Sequence, residues 1–197
     1  MIRDAMLHLF TATFLEKNMR TTPLFLIALT TLLISFNASA FEPDVNNRME
    51  LDVQRAIIDI QKADPGIKKF FDNAAGYAVF PSVGKGGFVV GGAYGKGLVI
   101  VNQLVDGYTT MSQATIGLQA GGQKYSQFIF FRDHIALEHF KRGNWEAGAQ
   151  ASAVAITAGA SADANYDGGV VVFTHASGGL MFEGSIGGQK FTYEPKK

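Results

Sequence analysis

GYAVFPSVGKGGFVVGGAYGKGLVIVNQ, residues 76–103, is the stretch whose reading decides the fold. β-branched and aromatic residues alternate here with glycine, and no helical repeat runs through it. That composition fits pleated, closely packed strands. Tyr77–Phe80 reads as a short strand stopped by Pro81. Gly87–Tyr94 and Gly97–Gln103 read as a hairpin turning across Tyr94-Gly95-Lys96-Gly97. The 23 glycines of the chain all lie between Gly66 and Gly188. With 16 Phe and 6 Tyr beside them, they point to bends and close backbone approach within a sheet, not to disorder.

The same alphabet continues downstream. Asp106-Gly107 predicts a turn before a strand starting near Tyr108. KYSQFIFF, Lys124–Phe131, is a strongly β-prone run. Asp133 then caps a helix over Asp133–Arg142, with Ala136, Leu137 and Phe140 on one face and Gly143 past its end. Trp145–Ala158 is rich in alanine and reads equally as helix or strand. Gly169–Thr174, Leu180–Ile186 and Gln189–Tyr193 close the chain as three short strands. Gly-Gly-Gln-Lys occurs at 121–124 and again at 187–190, each time before an aromatic residue, as two matching approaches to strands of one sheet.

Upstream of residue 76 the period changes to that of a helix. Val45, Met49, Val53, Ala56, Ile57 and Ile60 recur at helical spacing, giving an amphipathic helix over Asp44–Lys62. Asp64-Pro65-Gly66 ends it in a turn, and Ile67–Asn73 predicts a short second helix closed by Gly76. The fold class is therefore α+β. A glycine-rich antiparallel sheet, curled and sandwich- or barrel-like, carries an N-terminal amphipathic helix and one mid-chain helix.

Residues 1–40 read as a leader. Leu24–Phe36 is a 13-residue apolar run, short of the roughly 20 residues of a membrane-spanning helix. Lys17 and Arg20 precede it, and Ala38-Ser39-Ala40 follows it as a small-x-small cleavage pattern. Cleavage is expected after Ala40, which makes the protein exported, periplasmic or extracellular. Met19–Ala40 alone has the length of an ordinary signal peptide, so Met19 is the expected start and residues 1–18 a start-site artefact. Residues 41–197 then form a single domain.

Charge and composition exclude several functions. Lys+Arg and Asp+Glu both number 17. Without residues 1–40, which hold Arg3, Lys17, Arg20, Asp4 and Glu16, the remainder carries one net negative charge. No overall field draws such a chain to nucleic acid or to an anionic membrane, so any anion binding must come from a local cluster. There is no cysteine, hence no thiolate metal site or catalytic thiol. His134 and His139 fall on different faces of one helix, and His175 reads as a surface histidine in a turn. GKGGFVVGGAYGKG, residues 84–97, lacks the spacing of a phosphate-binding loop and its Ser or Thr. No paired acid, base and nucleophile emerges, so neither an enzyme nor a cofactor is expected. Asp163, Asn165, Asp167 and Gly168 match the opening of a calcium loop, but the twelfth position is Thr174 where Glu belongs. The other reading is an Asp-Gly turn between strands.

Several segments resemble the SYLF family. Ala75-Gly76-Tyr-Ala-Val-Phe80 with Gly86-Gly87-Phe88-Val-Val resembles its opening, and Ile116–Gly122 its central glycine segment. Phe130-Phe131-Arg-Asp133 with Ala136-Leu137-x-x-Phe140 resembles its strand-to-helix element, and Gly179-Leu180-Met181 with Ser185-Ile186-x-Gly188 its last strand pair. The resemblance covers roughly residues 45–193. It implies a lipid-binding, non-catalytic module, whose eukaryotic relatives bind phosphoinositides and, in yeast, actin. The leader and the lack of an attached Src-homology-3 or zinc-finger segment depart from the eukaryotic pattern, which points away from actin as the native partner.

The residues themselves suggest where lipid would be met. Lys68-Lys69-Phe70-Phe71 places two cations beside two aromatics, suited to phosphate and to the acyl boundary respectively. The competing reading puts Phe70 and Phe71 in the core and leaves both lysines solvated. Lys85 and Lys96, at glycine-rich turns, are further candidates for head-group contact. The expected function is association with anionic phospholipid surfaces. The alternative is a structural or protein-interaction domain of the cell envelope with an envelope protein as partner.

Overall fold

The computed structural model describes residues 41–87, 90–116, 121–143, 145–148, 153–176 and 186–197. The expectations about the leader, the Met19 start, the tip residues 88–89 and 117–120, and the strand Leu180–Ile186 up to Ser185 lie outside the described residues.

Helix α1 spans Arg48–Ala63. It begins later than its apolar period suggested because Asn47 caps it: the Asn47 side chain accepts from the N–H groups of Met49 and Glu50. A 3₁₀ turn, Pro65–Ile67, leads into α2, Lys68–Asn73. The strands are β1 (Gly76–Gly87), β2 (Val90–Val101), β3 (Leu104–Ile116) and β4 (Gly121–Phe131), then β5 (Trp145–Glu146), β6 (Val154–Ala155), β7 (Val170–Ala176) and β8 (Lys190–Pro195). Helix α3, His134–Lys141, lies between β4 and β5. Among the described residues the strands form one curled sheet in the order β5-β8-β3-β2-β1-β4-β7-β6. Every pairing is antiparallel except β6 with β7.

Three local expectations are corrected. Pro81 does not stop the first strand. It sits where the register of β1 shifts against both neighbours, between Val79 and Ser82 on one side and between Phe80 and Val83 on the other. An irregularity of that kind is where a residue without an N–H is tolerated inside a sheet. Tyr94–Gly97 is not a turn but the middle of β2. Gly97 is required there by close approach: a Cβ would collide with the Val79 carbonyl oxygen and come within 2.9 Å of Phe80 Cδ1. The β2–β3 turn falls instead at Asn102-Gln103, both with positive φ, 50° and 65°. Asp106 becomes the extra residue of a bulge, since Ile100 pairs with Val105 but Val99 with Gly107.

The sheet is buried on both sides of its centre. On one side α1 and α2 cover Tyr77, Val79, Leu98, Ile100, Phe128, Phe130 and Phe173. On the other, α3 packs Leu137 and Phe140 on Phe80, Ile129, Phe131 and Phe191. Asp133 caps α3 as its sequence position implied, accepting the Ala136 N–H at 2.9 Å. That bond holds its carboxyl below the ordinary range, with the Arg132 guanidinium adding to the effect. Within the Ala-rich Trp145–Ala158 segment, residues 149–152 lie outside the described residues, and the described ones supply the two-residue strands β5 and β6.

Polar groups lock the two ends of the chain to the domain. Buried Glu50 accepts from the Asp44 N–H and from Asn47, and pairs with Lys196 at 3.2 Å across 146 residues of sequence. A relay of amides runs through the interior. Gln127 donates to Gln189 at 2.8 Å, Gln189 to Gln113 at 3.4 Å, and Gln113 to the Gly187 carbonyl at 2.9 Å. The two Gly-Gly-Gln-Lys copies therefore differ in kind. Gln189 is fully buried, whereas Gln123 is exposed on β4.

Candidate functional site

Helix α2 is short because Pro65 and Gly66 precede it and β1 starts at Gly76. Its two aromatics are core residues. The Phe70 ring lies 4.9 Å from Phe173 and 5.7 Å from Phe130; Phe71 lies 4.8 Å from Phe130 and 5.1 Å from Tyr77. Of the two readings of Lys68–Phe71, the buried one describes the aromatics. Neither ring reaches an acyl boundary while it is packed between helix and sheet. The lysines face solvent. Lys68 pairs with Asp72 at 2.6 Å. Lys69 donates to the Ala162 carbonyl at 3.0 Å and lies 5.0 Å over the Phe70 ring.

Lys85 and Lys96 stand inside strands, not at turns. Lys85 is half-buried, in register with Ala93 and Gln123. Lys96 is exposed, and the register places it on a surface that the sequence did not reveal. Where β1–β4 and β8 extend past the helices, one side of the sheet stays buried. Tyr125, Val83, Gly95, Met111 and Phe191 follow one another across five strands on that side. The opposite side is open. Lys124, Gly84, Tyr94, Ser112 and Lys190 form its parallel rung, and all five are exposed.

Adjacent rungs on this open side are Ser82–Lys96–Thr110–Thr192 and Gly122–Gly86–Gly92–Ala114. The one carboxylate in these three rungs is Glu146 of β5, which continues the first of them beyond Lys190. Val90 and Tyr94, on the same side of β2, are 70% and 53% exposed, enough to place apolar surface beside the cations. Lys190 reaches Glu146 at 3.7 Å, with both side chains largely exposed. The result is a glycine-lined face carrying Lys96, Lys124 and Lys190 around Tyr94. Lys124 and Tyr94 were missed because residues facing each other across strands are invisible until the register is known. The one available signal was the alternation in Tyr94-x-Lys96.

The calcium-like loop is organised as a turn. Asp167 and Val170 exchange two backbone hydrogen bonds of 2.9 Å around Gly168 and Gly169, both at positive φ. Asn165 donates to the Asp163 carbonyl. Thr174 is buried within β7. Among the described residues no group of three or more His, Asp or Glu side chains is placed to hold a metal. His175 lies in β7, half-buried, and not in a turn. No helix among the described residues is long and apolar enough to cross a membrane.

A curled, mainly antiparallel sheet with two helices on one side and one on the other is the architecture that the SYLF resemblance implied. Residues 112–196 match the family model described as "Ysc84: Las17-binding protein actin regulator", and the domain belongs to this Ysc84 (SYLF) family. A curated relative, Beta cell expansion factor A of Aeromonas veronii, is 34% identical over 138 residues, which are 69% of this chain and 52% of that protein. The chain thus spans about half the length of the curated relative it matches.

Proposed function

We propose that this protein is an exported, non-catalytic module that docks on anionic phospholipid surfaces through the open side of β1–β4 and β8. The observation that carries the reading is the register-defined face itself, with three lysines against the single carboxylate of Glu146 in its three rungs and Tyr94 and Val90 standing out from it. Lysines gathered on one face can meet several phosphates of an anionic surface, while exposed apolar groups enter the interface. Lys68, Lys69 and Lys85 remain secondary head-group contacts in this reading. The family's association with lipids and actin supports the lipid class. An envelope protein partner is the second reading, and it would use this open face or the outer edge of β8, which pairs with β5 only at Lys190 and Phe191.

Co-sedimentation with phosphatidylglycerol-containing vesicles tests the proposal. Each lysine near an anionic surface contributes on the order of 1 kcal/mol. The Lys96→Glu, Lys124→Glu variant should therefore lose about thirtyfold in affinity at low salt. Both side chains are exposed, so its circular dichroism should match that of the parent. Lys68→Glu, Lys69→Glu should lose less, since Lys68 is already compensated by Asp72. The reverse ranking would move the site to α2. No binding to any vesicle composition would leave the protein-interaction reading.

A further inference from the structure

On the α3 side of the sheet lies a cavity of about 900 Å³. Its apolar lining comes from Ala136 of α3, Trp145 and Ala147 around β5, Val170 and Val172 of β7, and Ile186. These six belong to, or pack against, the hydrophobic cluster on that side; Val154 and Val171, which also line the cavity, belong to the other cluster, so this half-open cavity reaches round the β6–β7 edge. Among the described residues its polar side chains are exposed. His139, Asn165 and Asp167 line the same cavity and are exposed, whereas Ala147, Val172 and Ile186 at its floor are at most 5% exposed. Its volume is that of a small-molecule site, which typically holds about 300–1,000 Å³ and combines apolar walls with a few placed polar groups.

We infer that this cavity binds the acyl chain of a single-chain lipid with a zwitterionic head, the chain lying against Trp145, Val172 and Ile186 and the head meeting Asp167 at the rim. The graded lining matches an amphiphile end to end. The rim sets the head group. Asp167 spends its backbone N–H and C=O on Val170, which leaves its carboxylate at the mouth to attract a quaternary or primary ammonium and to repel a free fatty-acid carboxylate. This inference goes beyond surface docking and does not rest on it, because the two sites share no residue.

The chain's sole tryptophan, Trp145, lines the cavity and reports on it directly. Lysophosphatidylcholine brominated on its acyl chain, titrated into the full-length protein below its micelle concentration, should quench Trp145 to saturation. Unbrominated lysophosphatidylcholine should reverse the quenching, and a brominated fatty acid at neutral pH should bind more weakly. Ala136→Phe, which fills the cavity from α3, should weaken the apparent affinity about tenfold or more, the equivalent of about 1.4 kcal/mol. Asp167→Asn keeps the backbone turn and should narrow the preference for the zwitterion over the fatty acid. It decides alone if Ala136→Phe does not fold. Lys96→Glu, Lys124→Glu should leave the quenching unchanged, which separates this site from the vesicle-docking face. Absence of quenching by monomeric lipid, equal quenching in folded Ala136→Phe, or an unchanged head-group preference in Asp167→Asn would overturn the inference.

Discussion

Phe130→Ala should lower the unfolding free energy by about 3–5 kcal/mol, the cost of truncating a fully buried aromatic that its surroundings do not refill. Phe130 is the hub of the helix-covered side. Its ring meets Phe70 at 5.7 Å, Phe71 at 4.8 Å, Tyr77 at 5.8 Å and Phe173 at 5.8 Å. These rings come from α2, β1 and β7, so the truncation removes the shared contact among three elements at once. Collapse is hindered because the neighbours are stiff rings held by backbone pairing on both sides of β4, to β1 and to β7. A domain has about 5–15 kcal/mol in total, so the variant should sit close to its unfolding threshold. In urea the midpoint should fall sharply with the slope unchanged. Phe130→Leu should recover most of the loss. A loss below about 1 kcal/mol for Phe130→Ala would mean that the four rings pack without it.

The strand containing Phe130 was legible because KYSQFIFF is apolar on both faces, which is how a strand covered on both sides reads. Helices α1 and α3 were legible for a related reason. Their apolar stripes are local, and so is the Asp133 cap, which acts within three residues, whereas the Asn47 cap was not read and the first helix was started too early, at Asp44. What misled was glycine. Tyr94-Gly95-Lys96-Gly97 has the composition of a turn, yet those glycines serve cross-strand contact, as the collision of a Gly97 Cβ with Val79 shows. The turn itself fell on Asn102-Gln103, where only Asn signals positive φ. Long-range pairings carried no local sign at all. The lysine face exists only through the alignment of five strands, and the lone amide of Gln127 in an apolar run gave no hint of its partner Gln189, 62 residues on. At Lys68–Phe71 the residue types fitted lipid contact, but the α-helical repeat turned Phe70 and Phe71 inward and left the lysines outside.

Asp64 carries the second large effect, and it gives that effect a pH dependence. The sequence marked Asp64 only as the end of a helix, but its side chain is almost wholly buried, at 1% exposure. One carboxylate oxygen accepts the Gly66 N–H at 3.0 Å and starts the 3₁₀ turn. The other accepts the Ser161 N–H at 2.7 Å and ties the helical start of the domain to the loop before β7. Asp64→Ala leaves two backbone donors without their acceptor. At about 1–3 kcal/mol for each unsatisfied buried group, the expected loss is about 3 kcal/mol. Burial alone raises the Asp64 pKa, but the N–H groups of Ser161, Gly66 and Gly159 outweigh it and hold the group below its ordinary value. The folded protein therefore binds this proton less readily than the unfolded chain. The stabilisation is complete above the unfolded carboxyl value, about 3.9, and is lost as pH falls through the lower folded value. Asp64→Asn keeps one acceptor oxygen but turns an amide donor toward an N–H, and it cannot titrate. It should be less stable than the parent at neutral pH, and the gap should close as the solution is acidified below about pH 4. Urea midpoints of the two proteins across that range measure the gap. A constant difference at every pH would show that the carboxylate's charge contributes nothing and that only its shape is used.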